Sequence, residues 1–187
     1  MSSELSVLAK KYGTDKDHSI RHSYIDFYNS TLKKDSVKRV LEIGIGTHKN
    51  MSFLSPNYTT GASLLMWRDY FNDAQIYGID IEEDSMISAE RINTLLVDQK
   101  DPRQLFELIE KIGGNFDLIV DDGSHDKDHQ LISFHVLHNY LAKGGYYIIE
   151  DVTEPDVIKR SLYYASFSVY DFDKNIFDDR LMVYKND

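Results

Sequence analysis

The stretch KRVLEIGIG, residues 38–46, is a short apolar run that ends in two glycines. This pattern is typical of a buried strand that runs directly into a tight turn. Further apolar runs of strand length follow, separated by segments of helical period: AQIYGIDI (74–81), INTLLVDQ (92–99), FDLIVDD (116–122) and YYIIEDV (146–152). Continuous apolar strands separated by helices predict a parallel sheet that is covered on both faces.

The predicted helices are ASLLMWRDYF (62–71), DPRQLFELIEKIGG (101–114) and KDHQLISFHVLHNYLAKGG (127–145). Asp101 suits the N-cap of the second helix, Pro102 its first turn, and Gly144 the end of the third. The last two strands, SFSVYDFDK (166–174) and RLMVYKND (180–187), are joined by too few residues for a helical crossover. They therefore predict an antiparallel hairpin. Five βαβ-type strands followed by a hairpin resemble, by analogy of chain order, a Rossmann-like methyltransferase sheet. The expected fold is therefore α/β, with a mainly parallel seven-stranded sheet and helices on both faces.

Length and composition exclude several classes of protein. The 187 residues suit one domain, in which residues 1–36 form a helical preamble over the carboxyl edge of the sheet. A net charge of −10 argues against a nucleic-acid partner, and the lack of cysteine excludes disulfides, zinc ribbons and thiol nucleophiles. The N-terminus lacks the pattern of a signal peptide, and the chain has no apolar run long enough to span a membrane. A cytoplasmic protein is therefore expected.

Every predicted parallel strand ends in carboxylates, an amide or glycines. In an open parallel sheet, ligands bind outside the carboxyl ends of the strands, near the point where the strand order reverses. The convergence of these groups at one edge therefore predicts a ligand site there. Its candidate residues are Glu42, Gly44 and Gly46 after the first strand, Asp80 after the second, Asp98 and Gln99 after the third, Asp121 and Asp122 after the fourth, and Glu150 and Asp151 after the fifth.

The glycine turn only partly matches a dinucleotide-binding motif. Lys49 stands where the third glycine of G-x-G-x-x-G belongs, and the segment THKNMSFLSPNYTTG (47–61) delays the next helix. A pyrophosphate needs that helix terminus close to the turn, so the glycines are expected to let a cofactor without phosphates lie against the backbone. Asp80 would then accept the hydroxyls of a ribose. The alternative is a pair of turn glycines beside a solvated aspartate.

Asp122, Glu150 and Asp151 offer only oxygen ligands, which suit Mg²⁺ or Mn²⁺. The alternative is that three acids crowd a solvent-facing edge, in which case one should have a raised pKa. His125 lies three residues after Asp122 in a turn, and its ordinary pKa of about 6.5 suits a general base at neutral pH. A purely structural turn histidine remains the alternative, and His129, His135 and His138 are interpreted as structural or helix-face residues.

Seven stretches of the chain, most of which overlap the segments above, occur in the order found in one enzyme family. They are KYGTDK, HSYIDFY, VLEIGIG, GASLLMWRDYFNDAQIYGIDI, VDQKD, DDGSH and GGYYIIEDV. On these stretches the chain resembles the class I S-adenosylmethionine-dependent methyltransferases. In particular it resembles the metal-dependent sugar O-methyltransferases of macrolide biosynthesis, of mycinamicin and macrocin type. Val97 is a departure, because relatives often carry glycine there.

The resemblance implies a role for each candidate residue. The glycine turn and Glu42 would hold the methionine end of S-adenosylmethionine, Ser63 its carboxylate, and Asp80 the ribose hydroxyls. Asp98 and Gln99 would border the adenine, and Asp121 is placed with the same cofactor-binding set. Asp122, Glu150 and Asp151 would hold Mg²⁺, or Mn²⁺ in its place. His125, with Asp122 beside it, would be the catalytic base.

The implied reaction is methylation of a sugar hydroxyl, in which His125 removes the proton and the metal stabilises the alkoxide. The segment TEPDVIKRSLYYA (153–165) is short, which favours a small acceptor such as a nucleotide-linked sugar. Relatives are often homo-oligomers, and the N-terminal preamble is the candidate interface. Three alternatives stay open: a catechol-type enzyme acting on an aromatic diol, a nicotinamide-dependent dehydrogenase, and a non-catalytic Rossmann-like binding subunit.

Overall fold

The computed structural model describes residues 2–172 and 178–187. Eight strands in this part of the chain form one sheet: β1 (Arg39–Ile43), β2 (Gln75–Asp80), β3 (Ser88–Ala89), β4 (Ile92–Leu96), β5 (Phe116–Asp121), β6 (Leu141–Ile149), β7 (Phe167–Asp171) and β8 (Arg180–Lys185). Their spatial order is β3-β4-β2-β1-β5-β6-β8-β7. The prediction of a mainly parallel sheet that ends in an antiparallel hairpin is confirmed. The predicted strand number was seven; the eighth is the two-residue β3, which pairs antiparallel with β4.

Seven α-helices connect and cover these strands within the same residues: α1 (Glu4–Tyr12), α2 (Tyr24–Thr31), α3 (His48–Met51), α4 (Ala62–Tyr70), α5 (Pro102–Ile112), α6 (Lys127–Leu137) and α7 (Pro155–Ser161). Local sequence explains the ends of α5. The side chain of Asp101 accepts a hydrogen bond from the Arg103 amide, Pro102 occupies the first turn, and Gly113 ends the helix. This predicted helix is therefore confirmed at both ends.

The third predicted helix, residues 127–145, is shorter in the structure than the sequence predicted. It ends at Leu137, a 3-10 turn follows at His138–Tyr140, and β6 begins at Leu141 instead of after Gly144. Leu141 pairs with Phe116, and the partner of Leu118 is already Tyr146, so the intervening residues form an irregular bulge in the strand. The first predicted strand of the hairpin extends to residue 174, and its residues 173 and 174 lie outside the described residues.

The order of the strands reverses between β1 and β5. From β1 the chain passes to β2 and β4 on one side, and it then returns to β5 and β6 on the other. Buried apolar clusters lie on both faces of the sheet, one containing Trp67 and Tyr28 and the other Leu105 and Phe134. This confirms helices on both faces. No helix within residues 2–172 and 178–187 is long and apolar enough to cross a membrane.

Candidate functional site

A cavity of about 390 Å³ opens where the strand order reverses. Its wall contains residues from the ends of β1, β2, β4 and β5, together with Thr14 and Asp15 from the segment between α1 and α2. Eight predicted site residues line it: Gly44, Gly46, Ser63, Asp80, Asp98, Gln99, Asp122 and His125. Glu42, Asp121, Glu150 and Asp151 are not among its lining residues. The structure therefore brings most of the predicted set to one cavity, and the other four residues are not part of its lining.

Asp80 supports the glycine turn. Its Oδ2 accepts hydrogen bonds from the amides of Ile45 (2.8 Å) and Gly46 (3.2 Å), and its Oδ1 accepts one from Glu82 (2.9 Å). Packing within the protein already requires glycine at position 44, because a Cβ there would lie 2.0 Å from the Asp122 carbonyl oxygen. The sequence predicted that the glycines let a cofactor approach the backbone. The structure adds a second reason for Gly44, which is its packing against the turn after β5.

Gln99 and Asp121 form a buried network behind the turn that carries His125. The Gln99 amide donates to Asp121 Oδ1 (3.0 Å) and Ser133 Oγ (2.9 Å), and its oxygen accepts from the Ser124 amide (2.8 Å). Burial raises the pKa of Asp121 to about 6. Asp121 is fully buried and is not among the residues that line the cavity, so its assignment to the cofactor-binding set stays a prediction. The Gln99 side chain orients the turn, and its amide is already fully engaged.

Glu42 is fully buried at the end of β1 and accepts a hydrogen bond from the indole of Trp67 (2.6 Å). Burial raises the pKa of its carboxyl, and the charge of Lys16 acts in the opposite direction. Ser63 lies in the wall of the cavity. Glu42 is not among the lining residues, so its role in holding the methionine end of the cofactor stays a prediction.

Asp122, His125 and Asp151 bring donor atoms within 4.8 Å of one another. His125 Nε2 lies 3.2 Å from Asp122 Oδ1, and its Nδ1 lies 3.6 Å from Asp151 Oδ2. Both His125 and Asp151 have a positive φ, 57° and 53°, which is uncommon for residues other than glycine and is typical of functional sites. Two carboxylates and an imidazole are a donor set that fits a divalent cation.

Glu150, the third predicted metal ligand, is not part of this group. Its carboxylate accepts hydrogen bonds from the Lys16 ammonium (2.5 Å) and from the Tyr28 hydroxyl. Lys16 was missed as a site residue, although it belongs to the KYGTDK stretch. The available signal was electrostatic, because several carboxylates at one buried edge require a cation.

Residues in and just before α2 also contact Asp151. The sequence predicted Asp151 as a site residue but did not predict these contacts. The Tyr24 hydroxyl donates to Asp151 Oδ1 at 2.5 Å, and His22 Nε2 lies 3.4 Å from Asp151 Oδ2. Through these contacts the N-terminal segment packs against Asp151, directly after the end of β6. Among the other histidines, His129 also lines the cavity, where its Nδ1 lies 2.8 Å from Ser124 Oγ.

The acids and the histidine of the group shift each other's protonation. Burial, and then the charge of Asp122, raise the pKa of Asp151 to about 6. Burial alone would lower the pKa of His125, but its hydrogen bond to Asp122 and the charges of Asp122 and Asp151 raise it to about 9. The raised pKa of His125 favours the protonated ring at neutral pH when no cation is bound.

No protein-family profile matches the chain. It is 38% identical over 151 residues to demethylmacrocin O-methyltransferase from Streptomyces fradiae, covering 80% of this chain and 36% of the relative. It is 35% identical over 150 residues to 8-demethyl-8-alpha-L-rhamnosyl tetracenomycin-C 2'-O-methyltransferase from Streptomyces olivaceus, covering 79% of this chain and 37% of the relative. The MycE methyltransferase, solved with Mg, SAH and mycinamycin VI, superimposes with a TM-score of 0.75 at 26% identity, covering 99% of this chain and 54% of that one.

The fold is therefore that of a class I methyltransferase. Over about four-fifths of its length the chain is homologous to sugar O-methyltransferases of the macrocin and mycinamicin type, and it belongs to that family, as the sequence predicted. The chain spans about a third of the length of the curated relatives that it matches.

Proposed function

We propose that this protein is an S-adenosylmethionine-dependent O-methyltransferase that uses a divalent cation to methylate a hydroxyl group of a sugar. The observation that carries the proposal is that the cavity and the candidate cation site have two residues in common. Asp122 and His125 line the cavity at the sheet edge, and both also belong to the group that fits a divalent cation. A methyl donor in the cavity and an activated hydroxyl at the cation would therefore be neighbours.

The cavity wall offers suitable groups for the cofactor. Asp80 carries a carboxylate at the end of β2, Ser63 opens α4 beside the glycine turn, and Asp98 follows β4. In the proposed arrangement these residues bind the ribose, the methionine end and the adenine side of the cofactor, in that order. When bound, S-adenosylmethionine supplies an electrophilic methyl group, and Mg²⁺ supplies Lewis-acid stabilisation of an alkoxide.

Asp122 and Asp151 are the proposed ligands of the cation, and Glu150 is retained as a proposed ligand on the resemblance alone. His125 is the proposed general base. Its side chain is 40% exposed, so an acceptor hydroxyl can reach the ring. To accept a proton His125 must first be neutral, and positive charge beside Asp122 and Asp151 would lower the raised pKa of its imidazole.

The acceptor is proposed to be a sugar because the name of one relative describes 2'-O-methylation of a rhamnosyl tetracenomycin. The short segment around α7, Pro155–Ser161, supports a small or exposed acceptor such as a nucleotide-linked sugar. An aromatic diol is the alternative acceptor that the test below includes.

The test is transfer of a radiolabelled methyl group from S-adenosylmethionine to a set of free, nucleotide-linked and macrolide-linked sugars and to a catechol, with Mg²⁺ or with EDTA. We expect Mg²⁺-dependent transfer to a sugar, with losses of about 100-fold or more in Asp122→Asn and His125→Gln. His135→Gln, on the exposed face of α6, is the matched control and should retain activity. Transfer only to catechol, or transfer unaffected by EDTA, would contradict the proposal.

A further inference from the structure

Lys16 is completely buried, and its ammonium lies among three carboxylates. Its Nζ is 2.5 Å from Asp122 Oδ2, 2.5 Å from Glu150 Oε2 and 3.4 Å from Glu42 Oε1. The three acids follow or end different strands, β1, β5 and β6. One side chain from the N-terminal segment therefore connects three strand ends at the functional edge of the sheet.

The environment of these acids makes the lysine charge necessary. Glu42 and Glu150 are almost inaccessible to solvent, and a buried carboxylate without a partner is costly. Across the described ranges, 2–172 and 178–187, Lys16 is the one basic side chain that forms an ion pair with either glutamate. The lysine therefore supplies the positive charge for the part of the cluster that lies away from His125.

Asp122 belongs to both parts of the cluster. Its Oδ2 accepts from Lys16, whereas its Oδ1 faces His125 in the group that fits a divalent cation. The lysine and a divalent ion would thus share Asp122, and with Glu150 as a third ligand they would share that carboxylate as well. Thr14 and Asp15, the two residues before Lys16, line the cavity, so the same short segment contributes to the cavity wall and to the acid cluster.

We propose that Lys16 is a built-in cation of the site, which shares the carboxylate cluster with the divalent ion and thereby limits the affinity for that ion. The inference rests on the divalent-ion requirement of the proposed function. Two positive charges that share one carboxylate repel each other, and the repulsion is strong where water is excluded. Lys16 also keeps the acids compensated while the ion is absent.

The experiment compares Mn²⁺ binding by the wild-type protein, Lys16→Met and Lys33→Met, by calorimetry and by electron paramagnetic resonance of the free ion. Lys33→Met is the matched control, because Lys33 is exposed after α2. We expect Lys16→Met to bind Mn²⁺ about tenfold more tightly than the wild type, or more, and Lys33→Met to remain within about threefold. The thermal midpoint of Lys16→Met should fall in EDTA and recover with Mn²⁺.

Each outcome decides the question. Unchanged or weaker Mn²⁺ binding by folded Lys16→Met would overturn the inference. If Lys16→Met is unfolded in EDTA, refolding on addition of Mn²⁺ supports it, and failure to refold at saturating Mn²⁺ overturns it. A wild-type protein that binds no Mn²⁺ would overturn the metal dependence of the proposed function as well, which distinguishes that failure from one confined to Lys16.

Discussion

Gly44 and Asp122 approach each other so closely that a Cβ on Gly44 would lie 2.0 Å from the carbonyl oxygen of Asp122. The contact joins the turn after β1 to the turn after β5, which is the point where the strand order reverses. Gly44 also has a φ of 88°, which side chains other than hydrogen rarely adopt. The position of the metal-binding and catalytic candidates thus depends on a residue without a side chain.

Gly44→Ala is therefore expected to destabilise the protein by about 3 kcal/mol or more, because it combines a backbone clash with a left-handed conformation. Gly144→Ala is the matched control. Gly144 has a similar φ of 79°, but a Cβ added there would meet nothing within 4 Å, so the cost should be about 1–2 kcal/mol. Urea denaturation measures both values, and equal losses would show that the contact with Asp122 is unimportant.

Gln99 is expected to position the His125 turn. Gln99→Leu removes the hydrogen bond that Asp121 accepts and the hydrogen bond that the Ser124 amide donates. The expected loss of stability is about 1–3 kcal/mol. Methyl transfer should decrease more than cofactor affinity, since the turn carries His125. Gln104→Leu, which removes one hydrogen bond to the Asp98 amide, is the control and should have the smaller effect. A stable Gln99→Leu variant with full activity would contradict this role.

Tyr24 is expected to position Asp151 for the cation. Tyr24→Phe removes the donor to Asp151 Oδ1 and the acceptor of the Asp151 amide hydrogen bond. Loss of such a supporting contact typically weakens metal binding about 10- to 100-fold, and cofactor affinity should hardly change. Tyr164→Phe, at a half-exposed tyrosine, is the control. Calorimetric titration with Mn²⁺ measures the effect, and equal affinities in the two variants would exclude it.

Divalent-ion binding is expected to strengthen as the pH rises. The pKa of Asp151 is raised to about 6 and that of His125 to about 9, so protons occupy these groups up to higher pH than in an unfolded chain. Protons on the ligand group compete with the ion. The affinity should therefore fall about tenfold per pH unit from about pH 9 to pH 6, where binding displaces the His125 proton, and more steeply below pH 6, where it displaces the Asp151 proton as well. At about pH 7.5, binding should also release a proton from His125. Titrations in two buffers of different ionisation enthalpy detect the release, and pH-independent affinity would contradict the prediction.

The sequence predicted the parallel sheet, the hairpin and the cavity because these depend on local signals. Apolar runs define the strands, and polar groups at the strand ends must meet once the strands lie parallel. The end of α6 was misplaced because Leu141 continues the apolar pattern of the helix but pairs with Phe116 in the sheet. Periodicity alone does not distinguish these two ways of burying one leucine.

Side-chain direction was harder to predict than residue position. Asp121 and Asp122 are neighbours in sequence, yet only Asp122 lines the cavity, because successive strand residues point to opposite faces. Lys16 lies 106 residues before Asp122, and Tyr24 lies 127 residues before Asp151. No local pattern links such distant residues, and their contacts follow only from the packing of the N-terminal segment.

The cavity at the strand reversal is proposed to bind S-adenosylmethionine, and calorimetric titration with S-adenosylhomocysteine in the presence of Mg²⁺ measures this binding. We expect saturable binding to the wild-type protein and at least about tenfold weaker binding to Asp80→Ala, which loses the carboxylate in the cavity wall. Binding of a nicotinamide dinucleotide and not of S-adenosylhomocysteine would contradict it.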